Sequence, residues 1–158
     1  MKNARQSSVI ATHVNWLSNR LVATASATYG QLGLGFLNAR IVMALGRRSG
    51  INAARLSEVL GVDPAAVSRA LREMKGQKLV DEARAPVRAL TLTAEGVRLH
   101  RQVEKISDAR EARVLRGFSE AEAGRMLDYL ERMLSHMDEV AAVAQEPAER
   151  TPGVSAGE

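Results

Sequence analysis

Residues 51–80 read INAARLSEVLGVDPAAVSRALREMKGQKLV, and this stretch decides the fold. Asn52 is a preferred helix cap, because its side chain can accept a hydrogen bond from an unpaired backbone N–H. Gly61 then permits a tight turn. Asp63 is a second cap, followed by Pro64 at a first helical position, where the missing amide hydrogen costs nothing. The pattern predicts two short helices joined by a glycine turn, which is a helix-turn-helix.

The apolar spacing of the same stretch predicts which helix faces are buried. For the first helix the predicted buried residues are Leu56, Val59 and Leu60, and Val62 packs inward after it. For the second helix, which Gly76 ends, they recur at i, i+4 and i+7 as Val67, Leu71 and Met74. The outward positions are then Ala65, Ala66, Ser68, Arg69, Arg72 and Glu73.

A short hairpin and two further helices are predicted downstream. Two strands, Leu79–Val80 and Ala89–Leu92, are joined by the connection 84–88. A helix from about 94 to 116 starts in TLTAEG, with Thr93 as its cap and Glu95 in the favourable first turn. Ser119 and Glu122 fit a capping box, and the last helix has apolar residues at heptad-like steps: Met126, Leu130, Met133, Met137, Val140 and Ala144.

Two helices are predicted upstream of the decisive stretch. An apolar stripe of Ile10, Val14, Leu17, Leu21 and Ala25 predicts a helix from about 8 to 29. The glycines of YGQLGLG (29–35) follow no strand, so they favour a helix break over a dinucleotide loop. A helix from about 36 to 45 is expected to end at Gly46, and Arg47 and Arg48 suit the negative end of its dipole.

Charge is distributed unevenly along the 158 residues, whose formal net charge is +4. Residues 1–50 carry six Lys or Arg and no Asp or Glu, residues 51–92 carry seven basic and five acidic side chains, and residues 93–158 carry nine and thirteen. This gradient of +6, +2 and −4 indicates an anionic partner on one side of the molecule.

Composition excludes several classes. Without cysteine the chain has no disulfide framework, thiolate metal site or thiol switch. No apolar run is long enough for a spanning helix. The N-terminus lacks the pattern of a secretory signal. It resembles a mitochondrial transit peptide only weakly, so a cytoplasmic location is expected.

The decisive stretch, the downstream LTLTAEG and the order of predicted elements together resemble the MarR family of winged helix-turn-helix transcriptional regulators. The resemblance covers residues from about 8 to 144. It implies a mainly α fold with a small β-hairpin wing and N- and C-terminal dimerisation helices. On this view residues 1–145 form a single domain, with the winged helix-turn-helix at 36–92, dimerisation helices at 8–30 and 94–145, and a disordered tail at 146–158.

The resemblance also implies a function. Family members bind pseudo-palindromic operators on double-stranded DNA as homodimers, and often release them when a small aromatic or phenolic effector binds. A transcriptional regulator, and a repressor in particular, is therefore expected, with no cofactor, no metal and no membrane partner. The predicted dimer interface comprises Ile10, Val14, Leu17, Leu21, Met126, Leu130, Met133 and Met137.

The predicted DNA-binding residues lie on the second helix of the motif and around it. Residues near the start of such a helix reach base edges in the major groove. Arg69 is the first candidate for base readout, Arg72 for a base or a phosphate, and Ser68 for a phosphate. The full predicted set is Asn52, Ala65, Ala66, Ser68, Arg69, Arg72, Arg84 and Arg88. Solvation of an exposed helix face is the alternative explanation of the arginines.

The wing departs from the family pattern. The usual wing is longer and carries an Asp-x-Arg element, whereas this connection has no Asp at its tip and holds Pro86. Arg84 and Arg88 remain as candidates for the minor groove or a phosphate. The alternative function is therefore a winged-helix protein with weakened DNA binding that acts through protein contacts.

An effector site and a metal site are less clearly marked. The order of elements places Trp16, Arg20, Tyr29, Phe36 and Arg40 near the region where family members bind effectors, although core packing is slightly favoured for Trp16 and Phe36. His13, His100 and His136 fall on three predicted helices, so surface or interface histidines are expected rather than a zinc site. No nucleophile motif, phosphate loop or HExxH is present, and no enzyme activity is expected.

Overall fold

A computed structural model of the chain describes residues 2–85, 87–137 and 139–140. Its helices are α1 (Lys2–Gly30), α2 (Phe36–Arg47), α3 (Ala53–Leu60), α4 (Pro64–Gly76), α5 (Ala94–Val114) and α6 (Glu120–Ser135). Its strands are β1 (Val80–Glu82) and β2 (Leu90–Leu92), which form an antiparallel hairpin. The predicted fold class is confirmed. Pro86, Ala144 and the tail 146–158 lie outside the described residues.

The helix-turn-helix forms as the local sequence predicts. The Asn52 side chain accepts a hydrogen bond from the backbone N–H of Arg55 at 2.9 Å, which caps α3. Gly61 follows α3 with φ of 59°, in the left-handed region that favours glycine. The Asp63 carboxylate accepts from the backbone N–H of Ala66 at 2.9 Å, which caps α4. These contacts join neighbours in the chain, and for that reason the sequence alone predicts them.

The buried face of α3 differs from the prediction at one residue. Leu56 and Leu60 are buried, but Val59 is 51% exposed, and Ser57 takes the inward position instead. Burial of Ser57 is tolerated because its hydroxyl donates to the backbone carbonyl of Val62 at 2.5 Å. The prediction that Val59 is buried is wrong, since apolar character alone did not identify the face.

The core lies where α2 meets the helix-turn-helix and the hairpin. Its largest fully buried side chains come from four helices and two strands and include Ile41, Val42, Leu45, Leu56, Val67, Met74, Val80, Leu90 and Val103. Val67, Leu71 and Met74 of α4 are all buried, as predicted. Because the inward face of α4 is fully used by the core, its other face is presented to solvent.

Helix α2 continues to Arg47, so the prediction that Gly46 ends it is wrong. A Cβ at position 46 would lie 2.1 Å from the imidazole ring of His100 on α5. Gly46 therefore leaves room for the His100 side chain of α5 against the backbone of α2. Only the packing of two distant helices creates this requirement, and the local sequence does not show it.

Strand β2 of the hairpin has a partner on both of its edges. Val80 pairs with Leu92 and Glu82 with Leu90, and Ile51 forms an isolated bridge to Leu90 on the other edge. The strands begin one residue later than predicted, at 80 and 90. The bridge anchors the hairpin to the residue immediately before the Asn52 cap.

The junction between the hairpin and α5 explains the LTLTAEG sequence. Thr93 accepts a hydrogen bond from the backbone N–H of Gly96 at 3.0 Å and donates its hydroxyl to the carbonyl of Lys78 at 2.7 Å. Its own backbone N–H donates to the carbonyl of Leu79 at 3.1 Å. A Cβ at Gly96 would lie 2.1 Å from that same carbonyl oxygen. Threonine caps the helix, and glycine lets it start directly against the preceding segment.

The chain divides into two compact units, one ending at Glu111 and the other beginning at Ala112. In the first unit, α1 exposes several apolar side chains, namely Val9, Ile10, Trp16, Leu17 and Val22. Trp16 is 67% exposed, so the favoured interpretation of it as core packing is wrong; Phe36 is half-buried against the core.

In the second unit, the predicted capping box of Ser119 and Glu122 starts α6 and is confirmed. Helix α6 buries none of its residues, and its exposed apolar side chains include Leu127, Leu130, Met133 and Leu134, with Met137 and Val140 beyond its end. Among the described residues, no helix has the length and hydropathy needed to cross a bilayer.

Candidate nucleic-acid interface and adjoining pocket

The solvent face of α4 carries most of the predicted DNA-binding residues. Ala65, Ser68, Arg69 and Arg72 are exposed together, and Ala66 is half-buried beside the Asp63 cap. The helix has 13 residues and is therefore about 20 Å long. A helix of this length, packed on one face only, fits the major groove of duplex DNA with its N-terminal turns against the bases.

The Asp63 cap sets where this helix begins. We expect Asp63→Ala to lower the free energy of unfolding by about 1 kcal/mol, because the backbone N–H of Ala66 loses its acceptor. Urea denaturation followed by circular dichroism measures the change. Asp63→Ser keeps a capping oxygen and is the matched control, with an expected loss of less than about 0.5 kcal/mol. Equal losses in the two variants would show that the cap contributes nothing.

The wing is the connection between β1 and β2. The backbone N–H of Ala83 donates to the carbonyl of Ala89 at 2.9 Å, which closes it. Arg84, Val87 and Arg88 are exposed in it. Arg88 has φ of 44°, a left-handed conformation that costs a non-glycine residue about 1 kcal/mol. Among its described residues, the wing thus presents the two cations Arg84 and Arg88 and the apolar side chain of Val87 to a partner.

An ion pair links the base of the wing to α4. Lys75 near the end of α4 pairs with the carboxylate of Glu82 in β1. This hydrogen bond lowers the pKa of Glu82 below its ordinary value, and the charges of Lys75 and Arg88 act in the same direction. The carboxylate therefore stays ionised at neutral pH, and the link is lost only as the pH falls through that lowered pKa.

A cavity of about 540 Å³ lies beside the helix-turn-helix, within the first unit. Three of the five predicted effector residues line it: Tyr29, Phe36 and Arg40. Trp16 and Arg20 do not line it. The remaining lining includes Met43, Arg47 and Arg48 of the α2 region, Val59 and Leu60 of α3, and Ser107, Arg110 and Glu111 of α5.

Two arginines of the cavity are held in place by rings and by oxygen acceptors. The guanidinium of Arg110 lies 5.6 Å from the ring centroid of Tyr29 and donates to the backbone carbonyl of Leu21 at 2.9 Å. The guanidinium of Arg40 lies 5.7 Å from the ring centroid of Phe36 and donates to the backbone carbonyl of Leu60 at 2.5 Å. Each arginine has five N–H donors, so both retain donors for a ligand.

Sequence reasoning missed Arg110, and it related Arg47 and Arg48 to the dipole of α2 without placing them at a cavity. Arg110 is 70 residues from Arg40 in the chain and reaches the cavity only through the packing of α5 beside α1. No local pattern marks it. The absence of acidic residues in the first fifty positions was the available signal for a cationic cavity.

The histidines do not form a metal site. His13 lies on α1, His100 on α5 and His136 at the end of α6. In the part of the chain that the structure describes, no group of three or more metal-ligating side chains comes together.

Comparisons with known proteins agree with this geometry. The sequence profile of the MarR family matches residues 32–88, from the turn before α2 to the wing. No curated protein sequence matches the chain. Among solved structures, a MarR/EmrR family transcriptional regulator from Acinetobacter sp. ADP1 is 27% identical, with a TM-score of 0.78 over 84% of this chain and 97% of that one.

Two further solved structures share the fold at lower identity. A MarR family transcriptional regulator from Listeria monocytogenes, complexed with a 26mer DNA, is 18% identical with a TM-score of 0.78, over 90% of this chain and 97% of that one. CouR from Rhodococcus jostii RHA1, bound to p-coumaroyl-CoA, is also 18% identical, with a TM-score of 0.71 over 78% of this chain and 90% of that one.

The structure is a winged helix-turn-helix, a fold in which one exposed helix is positioned to enter the major groove of DNA. The profile match assigns residues 32–88 to the MarR family, and the chain as a whole has the fold of MarR family transcriptional regulators. The resemblance predicted from the sequence is confirmed. The family and the similar structures are regulators of transcription rather than enzymes.

Proposed function

We propose that the chain is a sequence-specific, DNA-binding repressor that binds a pseudo-palindromic operator as a homodimer. The observation that carries this proposal is the solvent face of α4, where Arg69 and Arg72 stand exposed on a capped helix whose opposite face is fully packed. A rigidly seated helix presents its side chains in one geometry, which sequence readout requires.

Roles within the interface follow from side-chain chemistry. Arg69 reads guanine through two hydrogen bonds, and Arg72 contacts a base or a phosphate. Ala65 and Ala66 offer methyl contacts to thymine, and Ser68 donates to a phosphate. Arg84 and Arg88 of the wing approach the minor groove or the backbone, and Asn52 lies exposed at the start of α3.

The homodimer is supported by the exposed apolar rows of the terminal helices. Ile10 and Leu17 are each 53% exposed on α1, and Leu130 and Met133 are exposed on α6. Exposed apolar rows of this kind mark interfaces, because leaving them in water is unfavourable. In a two-fold dimer the two copies of α4 would lie about 34–36 Å apart, one turn of the duplex.

Removing the main readout side chain tests the proposal. We expect Arg69→Ala to bind the chain's own upstream DNA about 10- to 100-fold more weakly, because one bidentate arginine–guanine contact discriminates by about 1–3 kcal/mol. Gel-shift titration measures the affinity. Arg132→Ala, an exposed arginine of α6 paired with Asp128, is the matched control and should bind like wild type. Equal affinity of Arg69→Ala and wild type would contradict the readout assignment.

Release of DNA when a small aromatic or phenolic ligand binds is part of the proposal. Arg40 couples the ligand cavity to the helix-turn-helix. Its guanidinium joins the cavity to the last carbonyl of α3, one residue before the Gly61 turn and four before α4. A ligand anion that draws Arg40 away from Leu60 removes a support of that turn. The ligand and DNA then favour different arrangements of α3 and α4, which gives release.

The coupling has a direct test with salicylate as the phenolic probe. In wild type, salicylate is expected to weaken DNA binding, and in Arg40→Met this response should fall at least about fivefold, because the side chain can no longer exchange partners. Fluorescence anisotropy of a labelled DNA fragment measures both affinities. Arg20→Met removes an arginine outside the cavity and is the control. An unchanged salicylate response in Arg40→Met would contradict the coupling.

The reduced wing favours a second candidate, a winged-helix protein that acts through protein contacts. Its seven-residue connection, 83–89, carries no acidic residue to orient Arg88, and Val87 is 66% exposed at its tip. Wild type that retains no DNA above the non-specific level at low salt would favour this candidate over the repressor.

A further inference from the structure

The cavity beside the helix-turn-helix is unusually cationic. Arg40, Arg47, Arg48 and Arg110 line it, and Glu111 is the one carboxylate among its lining residues. The lining thus has a formal charge of +3. A concave site with one sign of charge focuses its potential and concentrates ligands of the opposite sign.

The sequence explains why these charges are not neutralised. Elsewhere on the surface one arginine in each of α3, α5 and α6 pairs with a carboxylate three or four residues away, namely in Arg55–Glu58, Arg98–Glu95 and Arg132–Asp128. Residues 1–50 contain no Asp or Glu, so α2 has no carboxylate with which Arg47 could pair within its own helix. No carboxylate of α2 therefore offsets the charge of Arg47.

The four arginines occupy two levels of the cavity. Arg40 and Arg110 are half-buried and lie over the rings of Phe36 and Tyr29. Arg47 and Arg48 are exposed at the rim. The helix dipole explains a cation at the end of α2 and is worth about 0.3–1 kcal/mol, but it does not explain Arg40 and Arg110 in the same cavity.

We propose that the cavity binds an organic dianion: an apolar or aromatic body with one anionic group toward Arg40 and Arg110 and a second toward Arg47 and Arg48. This inference rests on the proposed function, since it names the class of effector for the same site. The volume of about 540 Å³ lies within the range of about 300–1,000 Å³ that holds ligands of drug size, so the body and both groups have room.

Three naphthalene probes of one ring size test the proposal: 1-naphthol, naphthalene-1-sulfonate and naphthalene-1,5-disulfonate. Isothermal titration of the full chain at constant ionic strength should give the disulfonate an affinity at least about tenfold above that of the monosulfonate, and 1-naphthol the weakest binding. Equal affinities for the two sulfonates would overturn the proposal.

Variants at the rim separate this site from the DNA interface. The double variant Arg47→Gln/Arg48→Gln should lose about tenfold in disulfonate affinity and less than twofold in monosulfonate affinity. Arg55→Gln/Arg132→Gln removes two paired surface arginines and should change neither. If the rim variant weakens DNA binding and leaves disulfonate binding intact, Arg47 and Arg48 belong to the DNA interface and the proposal is wrong.

A gel shift of wild type without any probe distinguishes failure of the dianion site from failure of the repressor proposal. DNA binding without a preference for the disulfonate overturns the dianion site and leaves the repressor proposal standing. A clear disulfonate preference without DNA binding supports the dianion site and overturns the repressor proposal.

Discussion

Gly96→Ala is expected to lower the free energy of unfolding by about 3 kcal/mol, at the upper end of what overpacking costs. The new methyl group would lie 2.1 Å from the carbonyl oxygen of Leu79, and that oxygen is held by the backbone N–H of Thr93. A backbone atom within a hydrogen bond cannot move aside as the end of a flexible side chain can. The clash must therefore displace α5 from the hairpin.

Urea denaturation measures this loss, and a melting temperature lower by about 6–12 °C is expected with it. Gly124→Ala in α6 is the matched control, because a Cβ there meets no heavy atom within 4 Å. It should raise stability by up to about 1 kcal/mol, the usual gain for glycine to alanine within a helix. A denaturation midpoint for Gly96→Ala equal to that of wild type would contradict the packing of this junction.

Affinity for DNA is expected to fall about a thousandfold between 50 and 200 mM salt, if a dimer neutralises about six phosphates. The reason is counterion release: each phosphate neutralised by a cation frees condensed ions, and added salt opposes that release. In the proposed complex, cations that are exposed on α4 and the wing, including Arg72 and Arg88, would supply these contacts. Anisotropy titrations over a salt series measure the slope.

Two variants test which protein–phosphate contacts contribute to the salt dependence of DNA affinity. Arg88→Gln should reduce the slope of log affinity against log salt by about one for each wing that contacts a phosphate. Arg132→Gln in α6 should leave the slope unchanged. A flat response in wild type would contradict the electrostatic part of the proposal, and a slope kept by Arg88→Gln would show that the wing does not contact phosphate.

The charge gradient, with its acid-free first fifty residues, was predicted to indicate an anionic partner on one side of the molecule. The structure places Arg40, Arg47 and Arg48 of this segment around a cavity. Charge counting locates a cationic segment, but it does not tell a convex surface from a concave one. In the two proposals made above, a duplex and a small ligand would divide the basic residues between them.

Some local features of the fold were predicted from the sequence and others were not. The caps at Asn52 and Asp63, the turn at Gly61 and the capping box at Ser119 were all predicted, because each satisfies backbone groups within four residues. The burial of Ser57 in place of Val59 was not predicted. It depends on the hydrogen bond from Ser57 to Val62 and on which side of α3 meets α2 and α4.

The sequence by itself determined the order of the helices, the helix-turn-helix and the outward face of α4, since side-chain caps, glycine turns and apolar periodicity act over one or two helical turns. Only the tertiary structure decided that Gly46 faces His100, that Gly96 faces the carbonyl of Leu79, and that Arg40 and Arg110 share one cavity. These pairings join residues from 17 to 70 positions apart. They are set by how the helices pack, and no local pattern of residues encodes that packing.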